Sequence, residues 1–439
     1  MYGSMLGPGD RPDGDDGARW DQAGVDWKAV LAHDEVAIHV DEGGRSSLHR
    51  RDVLVVATED LNDERLVANL RDIGVDDDQH RKEAERANGA GLGFGTLRLG
   101  NRLGVVDATV FLRSLDGRRP LRVGPDHLLW PMQARGMFPA SPPVPAPSGA
   151  AARRARQRVV DNCGDAEVRV AVLDTGVVAG ATGHDPLLAR CVVASEDDSL
   201  WDASAGALRH WVGAHGTFAA GVLAAASEGV ARIDMRDLCH ALPGGPPLVA
   251  DTALATVLAE VLARGARVVN LSLGGPTALD LGTLALSLVV SRASGRAGRR
   301  GKGPSTSDAV VVAAAGNEGT TQAMFPAALK GVVAVAALDA GGSPTPWTNR
   351  GPWVDCAALG DGVVGPHVRG MGAPHGGAPA QAFDGWARWS GTSFAAPHVA
   401  GRIAAALAAG AGSARVAAAT VLASGQPLPV ASGLGVRVR

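Results

Sequence analysis

The chain is poor in aromatic residues. Phe, Trp and Tyr make up 4% of its 439 residues, and there is a single tyrosine, Tyr2. Its core must be built from Ala, Val and Leu, which suits helices packed closely on a sheet. Cysteine is equally scarce. Cys163, Cys191, Cys239 and Cys356 are too few for a disulfide framework, and none forms a C-x-x-C pair. Two disulfides are arithmetically possible; reduced thiols in a cytoplasm are the blander expectation. No apolar run reaches the ~18 residues of a membrane span, so none is expected. Positive charge is not in excess either. Lys and Arg number 42 against 45 Asp and Glu, so no basic face for nucleic acid is expected. The acidic, Gly/Pro-rich start lacks the apolar h-region of an export signal. Residues 1–27 read as a disordered tail and the location as cytoplasmic, with unconventional export the open alternative.

Glycine is what the chain has in plenty. Its 59 glycines and 26 prolines are about a fifth of the residues, below the ~25–30% of a low-complexity chain. With 46% hydrophobic and 20% charged residues, a sizeable core is available and global disorder is excluded. At ~150 residues per domain the length allows two or three domains.

Residues 28–135 suggest a small α/β unit. Val53–Ala57 is strand-like, and residues 62–72 have helical spacing behind a candidate cap, Asn62. A strand at Gly95–Leu99, a helix over Val105–Leu115 and a strand at His127–Trp130 complete it. Residues 136–160 read as a Pro-rich linker, extended and then basic. Beyond it, short apolar runs at Val168–Leu173, Val268–Leu273, Ala309–Ala313 and Val332–Ala336 alternate with helical stretches. One of these is Thr252–Ala263, with Asp251 as candidate cap. Continuous apolar strands between helices predict an α/β fold with a parallel sheet covered on both faces. Functional groups in such folds lie beyond the carboxyl ends of the strands.

Three segments carry chemistry. The first strand runs into Asp174-Thr175-Gly176, and a carboxylate at the end of a buried strand needs a hydrogen-bonding partner. Gly213-Ala214-His215-Gly216-Thr217 puts a histidine at the start of a small-residue helix. Ser390-Gly391-Thr392-Ser393-Phe394-Ala395-Ala396-Pro397-His398-Val399-Ala400-Gly401 puts Ser393 at a loop–helix junction, where free N–H groups favour developing negative charge. Pro397 is read as lying in that helix's first turn, where its missing N–H costs nothing. Taken singly, Asp174 could be a turn residue, His215 a satisfied core histidine and Ser393 a plain helix cap.

Together, in the order Asp, His, Ser, these segments resemble the catalytic blocks of the subtilisin-like serine proteases over about residues 160–425. The resemblance implies a subtilisin-like peptidase domain at 161–425, followed by a C-terminal tail at 426–439. It implies a triad of Asp174, His215 and Ser393, with Asn317 of the Ala315-Gly316-Asn317-Glu318-Gly319 segment helping to hold an oxyanion. It further implies that Ser272, Leu273 and Gly274 pair with an extended peptide or protein substrate. Ala314, Ala315 and Gly316 would wall the primary specificity pocket, and Glu318 near its base could admit polar or basic groups. The chemistry calls for no cofactor. Structural calcium occurs in relatives, but no ligand loop is assignable, and a metal site at His367 and His375 has no further ligand spacing behind it.

The first unit, at 28–135, stands where relatives carry a propeptide. It is expected to fold with or restrain the protease, with removal near Arg153-Arg154 conceivable. The basic stretch 291–305 is expected to be a solvated loop on the face away from the site, and 361–385 a Gly/Pro loop lining the substrate. The leading expectation is a serine endopeptidase. A dedicated maturation protease or transpeptidase acting on one partner peptide, and an inactive peptide-binding scaffold, stay open as alternatives.

Overall fold

Alternation organises the first unit. The computed structural model describes residues 33–100, 102–131, 142–146, 149–241, 247–293, 308–375 and 378–439. Strands β1 (Val36–Val40), β2 (Ser46–Ala57), β3 (Phe94–Arg98) and β4 (Val123–Pro131) form an antiparallel sheet with β2 at its centre. Helices α1 (Glu64–Ala68), α2 (Asp77–Ala90) and α3 (Val105–Ser114) connect the strands. Leu54 and Val56 are buried with Leu66, Leu97 and Leu112 on the helical side. Val55 points the other way and is buried, with Phe94 and Leu129, against Leu254, Leu258 and Leu286 of the second unit. One sheet thus covers two cores.

The second unit opens with β5 (Val144–Pro145), α4 (Gly149–Asn162), β6 (Val168–Asp174) and β7 (Val192–Ser195). Then come α5 (His215–Ala226), β8 (Ala231–Asp237), β9 (Pro247–Ala250) and α6 (Asp251–Ala263). Strands β10 (Val268–Leu271) and β11 (Leu273–Gly274) lead to α7 (Leu284–Ala293), β12 (Val310–Ala314), β13 (Val332–Leu338) and β14 (Cys356–Leu359). Strands β15 (Val363–Met371) and β16 (Ala382–Trp389) precede α8 (Thr392–Ala408), α9 (Ala414–Ala423), β17 (Gln426–Pro427) and β18 (Val436–Arg437).

The main sheet has the order β17-β18-β14-β13-β12-β10-β6-β8-β7, parallel except at the β17–β18 edge. Val170 and Val172 of β6 are buried with Phe218 of α5 and Ile403 of α8; Ala171 and Leu173 face Leu258 and Leu286 of α6 and α7. Both faces are covered, which explains the unbroken apolar strands. Because Leu271 pairs with both Leu173 and Ala313, Asp174, Ser272 and the end of β12 emerge along one edge.

Several expectations change. The helix expected at 62–72 is only Glu64–Ala68, and its cap is Asp63, which accepts the Arg65 N–H at 3.0 Å, not Asn62. Helix α2 escaped notice because only His80, Ala84 and Ala87 of its residues are buried, too narrow an apolar stripe to read. Asp251 does not cap its own helix. Its carboxylate accepts the Ala285 and Leu286 N–H groups at the start of α7 at 2.9 and 3.0 Å, while Asp126 of β4 accepts the Thr252 N–H at 3.0 Å.

The expected linker at 136–160 is extended only in part. Val144–Pro145 pairs with β16, and Gly149–Asn162 is helical, as its run of Ala, Arg and Gln favours. Arg156 anchors that helix, buried 3.1 Å from Asp185 and donating to the Gly221 carbonyl at 2.9 Å. The bond at Arg153-Arg154 therefore lies inside a helix. The tail expected at 426–439 is instead the sheet edge, with β18 paired to β14. The loop expected at 361–385 is largely the antiparallel pair β15–β16. Residues 1–27 and most of 291–305 lie outside the described residues. None of the four cysteines is paired, and burial pushes the Cys191 thiol up to about 12.

Burial, and after it the neighbouring Asp126, push the Asp251 carboxyl up to about 8. The folded chain then holds this proton more tightly than the unfolded chain, so stability is lost as pH rises through that range. Comparison with Asp251→Asn should reveal this. The wild-type advantage in urea midpoint is expected to shrink between pH 5 and pH 8; an advantage constant with pH would refute the assignment.

Candidate active site

The site assembles at the carboxyl edge of the main sheet. Asp174 ends β6 and His215 begins α5, both buried. The Asp174 Oδ1 meets His215 Nδ1 at 2.7 Å and also accepts the Thr175 N–H at 2.8 Å. This contact fixes the ring orientation and turns Nε2 away from the carboxylate. Trp389 meets the imidazole edge-on, with ring centroids 5.4 Å apart, and Phe394 lies at the same separation on a tilted plane. Two large aromatics therefore shield the ring from water.

Ser393 is the second residue of α8. Pro397 is the sixth, so it stands in the second turn and not the first. Its missing N–H would have bonded the Ser393 carbonyl. Ser272 takes over that role, its hydroxyl donating to the Ser393 carbonyl at 2.8 Å and accepting from Asn270 Nδ2 at 2.9 Å. In return the Ser393 hydroxyl donates to the Ser272 carbonyl at 3.3 Å. The nucleophile candidate is thus held by the strand segment just before β11. Its hydroxyl is not hydrogen-bonded to His215 here, and such contacts commonly tighten only around substrate.

Asn317 sits beside it. Its Oδ1 accepts both the N–H and the hydroxyl of Thr392 at 2.9 Å, and that hydroxyl accepts the Gly316 N–H at 3.1 Å. These bonds set the carboxamide orientation. A β-carbon at Gly391 would lie 3.6 Å from both Asn317 Nδ2 and the Ser393 backbone nitrogen. The two nitrogens thus lie close together beside Gly391, both within van der Waals reach of its side-chain position.

The remaining residues named from sequence line the same edge. The Ala315 N–H donates to Val335 and its carbonyl accepts from Asn349 Nδ2, so Ala314 and Ala315 form a wall tied to neighbouring segments. Gly316 has φ +103°, and a β-carbon there would lie 2.3 Å from Asn349 Nδ2 and 2.7 Å from a Glu318 carboxylate oxygen. Only glycine fits. Asn349 also donates to Glu318 at 2.6 Å and accepts the Glu318 and Thr320 N–H groups.

Leu273 and Gly274 already carry an extended strand. They pair antiparallel with Pro131 and Trp130 of β4, and the Trp130 ring lies over Gly275. His367 and His375 are not joined in a cluster. His367 packs at a tilt against Phe383, and His375 against Trp211. Among the described residues no group of three or more His, Cys, Asp or Glu side chains is arranged to hold a metal. Nor does any described helix have the length and apolarity to cross a membrane. Sequence reading missed Asn270, Asn349 and Trp389 as parts of the site. Only Thr392, inside the Gly-Thr-Ser motif, carried a signal.

A profile of the subtilase family matches residues 165–423, more than half the chain, and the chain belongs to that family of subtilisin-like serine proteases. Thermitase of Thermoactinomyces vulgaris is 30% identical over 247 residues, covering 53% of this chain and 72% of thermitase. A thermophilic serine proteinase of Bacillus sp. strain AK1 is 32% identical over 194 residues, 43% of this chain and 41% of its own length. Mycosin-4 of Mycobacterium tuberculosis is 30% identical over 277 residues, 53% of this chain and 54% of its own. The chain thus spans about half or less of the latter two. Among solved structures, fervidolysin from Fervidobacterium pennivorans superposes with a TM-score of 0.57 at 20% identity, covering 92% of this chain and 61% of that one. That likeness is one of fold.

Ser272→Ala would leave the buried Ser393 carbonyl and Asn270 amide without their shared partner. A loss of about 1–3 kcal/mol in unfolding free energy is expected from urea titration; no loss would show that the exchange is not a structural tie.

Proposed function

We propose that this chain is a serine endopeptidase using Asp174, His215 and Ser393 as its triad and Asn317 with the Ser393 N–H as its oxyanion hole. The reading is carried by the Asp174–His215 contact of 2.7 Å; Asn317 Nδ2 and the Ser393 backbone nitrogen, each 3.6 Å from where a β-carbon on Gly391 would sit, support the oxyanion hole. Ser393 Oγ attacks the peptide carbonyl while His215 Nε2 takes its proton. Asp174 stabilises the imidazolium without becoming protonated itself. The carbonyl oxygen, now negative, is met by Asn317 Nδ2 and the Ser393 N–H. The imidazolium returns the proton to the leaving amine, and water then cleaves the acyl-serine by the same route.

In this reading the substrate adds as a strand to Leu273 and Gly274. Trp130 and Pro131 hold that edge in the chain described here. The first unit therefore acts as a built-in restraint, competing with substrate through main-chain hydrogen bonds. Acylation of Ser393 by a small probe needs far less of the cleft than a peptide does. The complete set of reacting groups argues against an inactive scaffold.

Fluorophosphonate labelling of the full chain tests the assignment. Labelling is expected in the wild type and none in Ser393→Ala; a label retained in Ser393→Ala would refute the nucleophile. Asn317→Ala should slow labelling by about 10²–10³-fold, the usual cost of one oxyanion donor. Trp130→Glu should speed cleavage of a peptide substrate if β4 occupies the substrate's place. Cleavage at an unaltered rate would remove the restraint from this account.

A further inference from the structure

Asp174 and His215 come from different elements, and their separation needs a tie. Asp198, in the loop after β7, is 3% exposed. Its Oδ2 accepts the Ala214 N–H at 2.6 Å and the Thr175 hydroxyl at 3.2 Å, and its Oδ1 accepts the Leu200 N–H at 2.9 Å. The Thr175 hydroxyl in turn accepts the Gly216 N–H at 3.0 Å. The N–H groups just before and just after His215 therefore end on one carboxylate–hydroxyl pair, and that hydroxyl belongs to the residue following Asp174.

We propose that Asp198 is a positioning residue for the catalytic histidine, clamping the start of α5 to the end of β6. The inference rests on the triad reading above. Two further observations support it. Ala214 has φ 65° and ψ 7°, the left-handed region that residues other than glycine enter at a cost. This turn delivers His215 at the first position of α5, and a charge-assisted bond to Asp198 holds it there. Asp198 is itself anchored beside β6, its N–H donating to the Val177 carbonyl and its carbonyl accepting the Trp201 N–H, both at 3.0 Å.

No cation is paired with Asp198 among the described residues. The groups facing it are the Thr175 hydroxyl, the Ala214 and Leu200 N–H groups, and the Asp237 carboxylate at the end of β8. Cys239 lies beyond, its thiol also neighbouring Asp174 and Asp237. Burial first, and Asp237 after the opposing hydrogen bonds, leave the Asp198 carboxyl raised to about 7. A proton on it removes an acceptor from this clamp. Acylation should then weaken as pH falls through that region, in addition to any loss from protonating the imidazole.

The test is the rate of fluorophosphonate labelling of the full chain between pH 5 and pH 9, resolved into kinact and KI. Asp198→Asn is expected to lower kinact by about 10-fold to 10²-fold, the scale of a small misplacement, with KI unchanged. Its profile should lose the steeper acid limb. Adding Ala214→Gly should restore much of the rate, because glycine takes the left-handed turn without being held. An unchanged kinact and profile in folded Asp198→Asn would overturn the proposal. So would a lowered urea midpoint with normal kinact, the mark of a purely structural role. Labelling that survives in Ser393→Ala would remove the triad reading and this one together. Labelling lost there, with Asp198→Asn unchanged, removes this one alone.

Discussion

The site depends on an exchange of hydrogen bonds between Ser272 and Ser393. Pro397 deprives α8 of one internal bond and so leaves the Ser393 carbonyl open at a buried position. A buried carbonyl without a partner is costly. The Ser272 hydroxyl meets it, and the Ser272 carbonyl accepts the Ser393 hydroxyl. This ties the first turn of α8 to the segment between β10 and β11, the same segment that presents Leu273 and Gly274 to an extended strand. The serine and the strand edge beside it are held as one unit. Thr392 makes a parallel link to Asn317, so the Asn317 carboxamide and the Ser393 N–H are fixed by the same turn.

The junction between the two units is built from buried polar groups as much as from apolar packing. Asp126 of β4 accepts the N–H and hydroxyl of Thr252, and His127 Nε2 accepts the Ala278 N–H at 3.0 Å. That acceptor role requires a neutral ring, in keeping with burial holding the His127 imidazole down to about 3. His49, paired with His127 across β2 and β4, is likewise held to about 4. The first unit thus contributes a cap to α6, a bond to the segment before α7 and a strand to β11. Each contact uses a backbone group that would otherwise need water or another partner.

Much of the candidate site was legible in sequence because it sits in short continuous motifs. Asp174-Thr175-Gly176, Gly213–Thr217 and Ser390–Gly401 each combine a reactive side chain with the glycines and small residues its backbone requires. The four main strands expected from their apolar runs lie within a few residues of the observed bounds, because burial on both faces leaves an unbroken signature. Less was legible where the partner is distant. Helix α2 has too little apolar surface to read. The helical half of the supposed linker owes its position to Arg156 meeting Asp185 and Gly221. The supposed C-terminal tail is a strand only because β14 offers an edge.

The sequence by itself therefore determined the family and the order of its Asp, His and Ser blocks, since these follow from side-chain type within short local motifs. Tertiary structure decided which groups satisfy one another. Asp251 sits just before a helical run and reads as that helix's cap, yet it caps α7, and Asp126 from the other unit serves α6. Asp198 carries no motif, yet it joins both neighbours of His215 to the residue after Asp174. Hydrogen-bond partners of buried groups are set by approach in space, and no local pattern records which distant donor arrives.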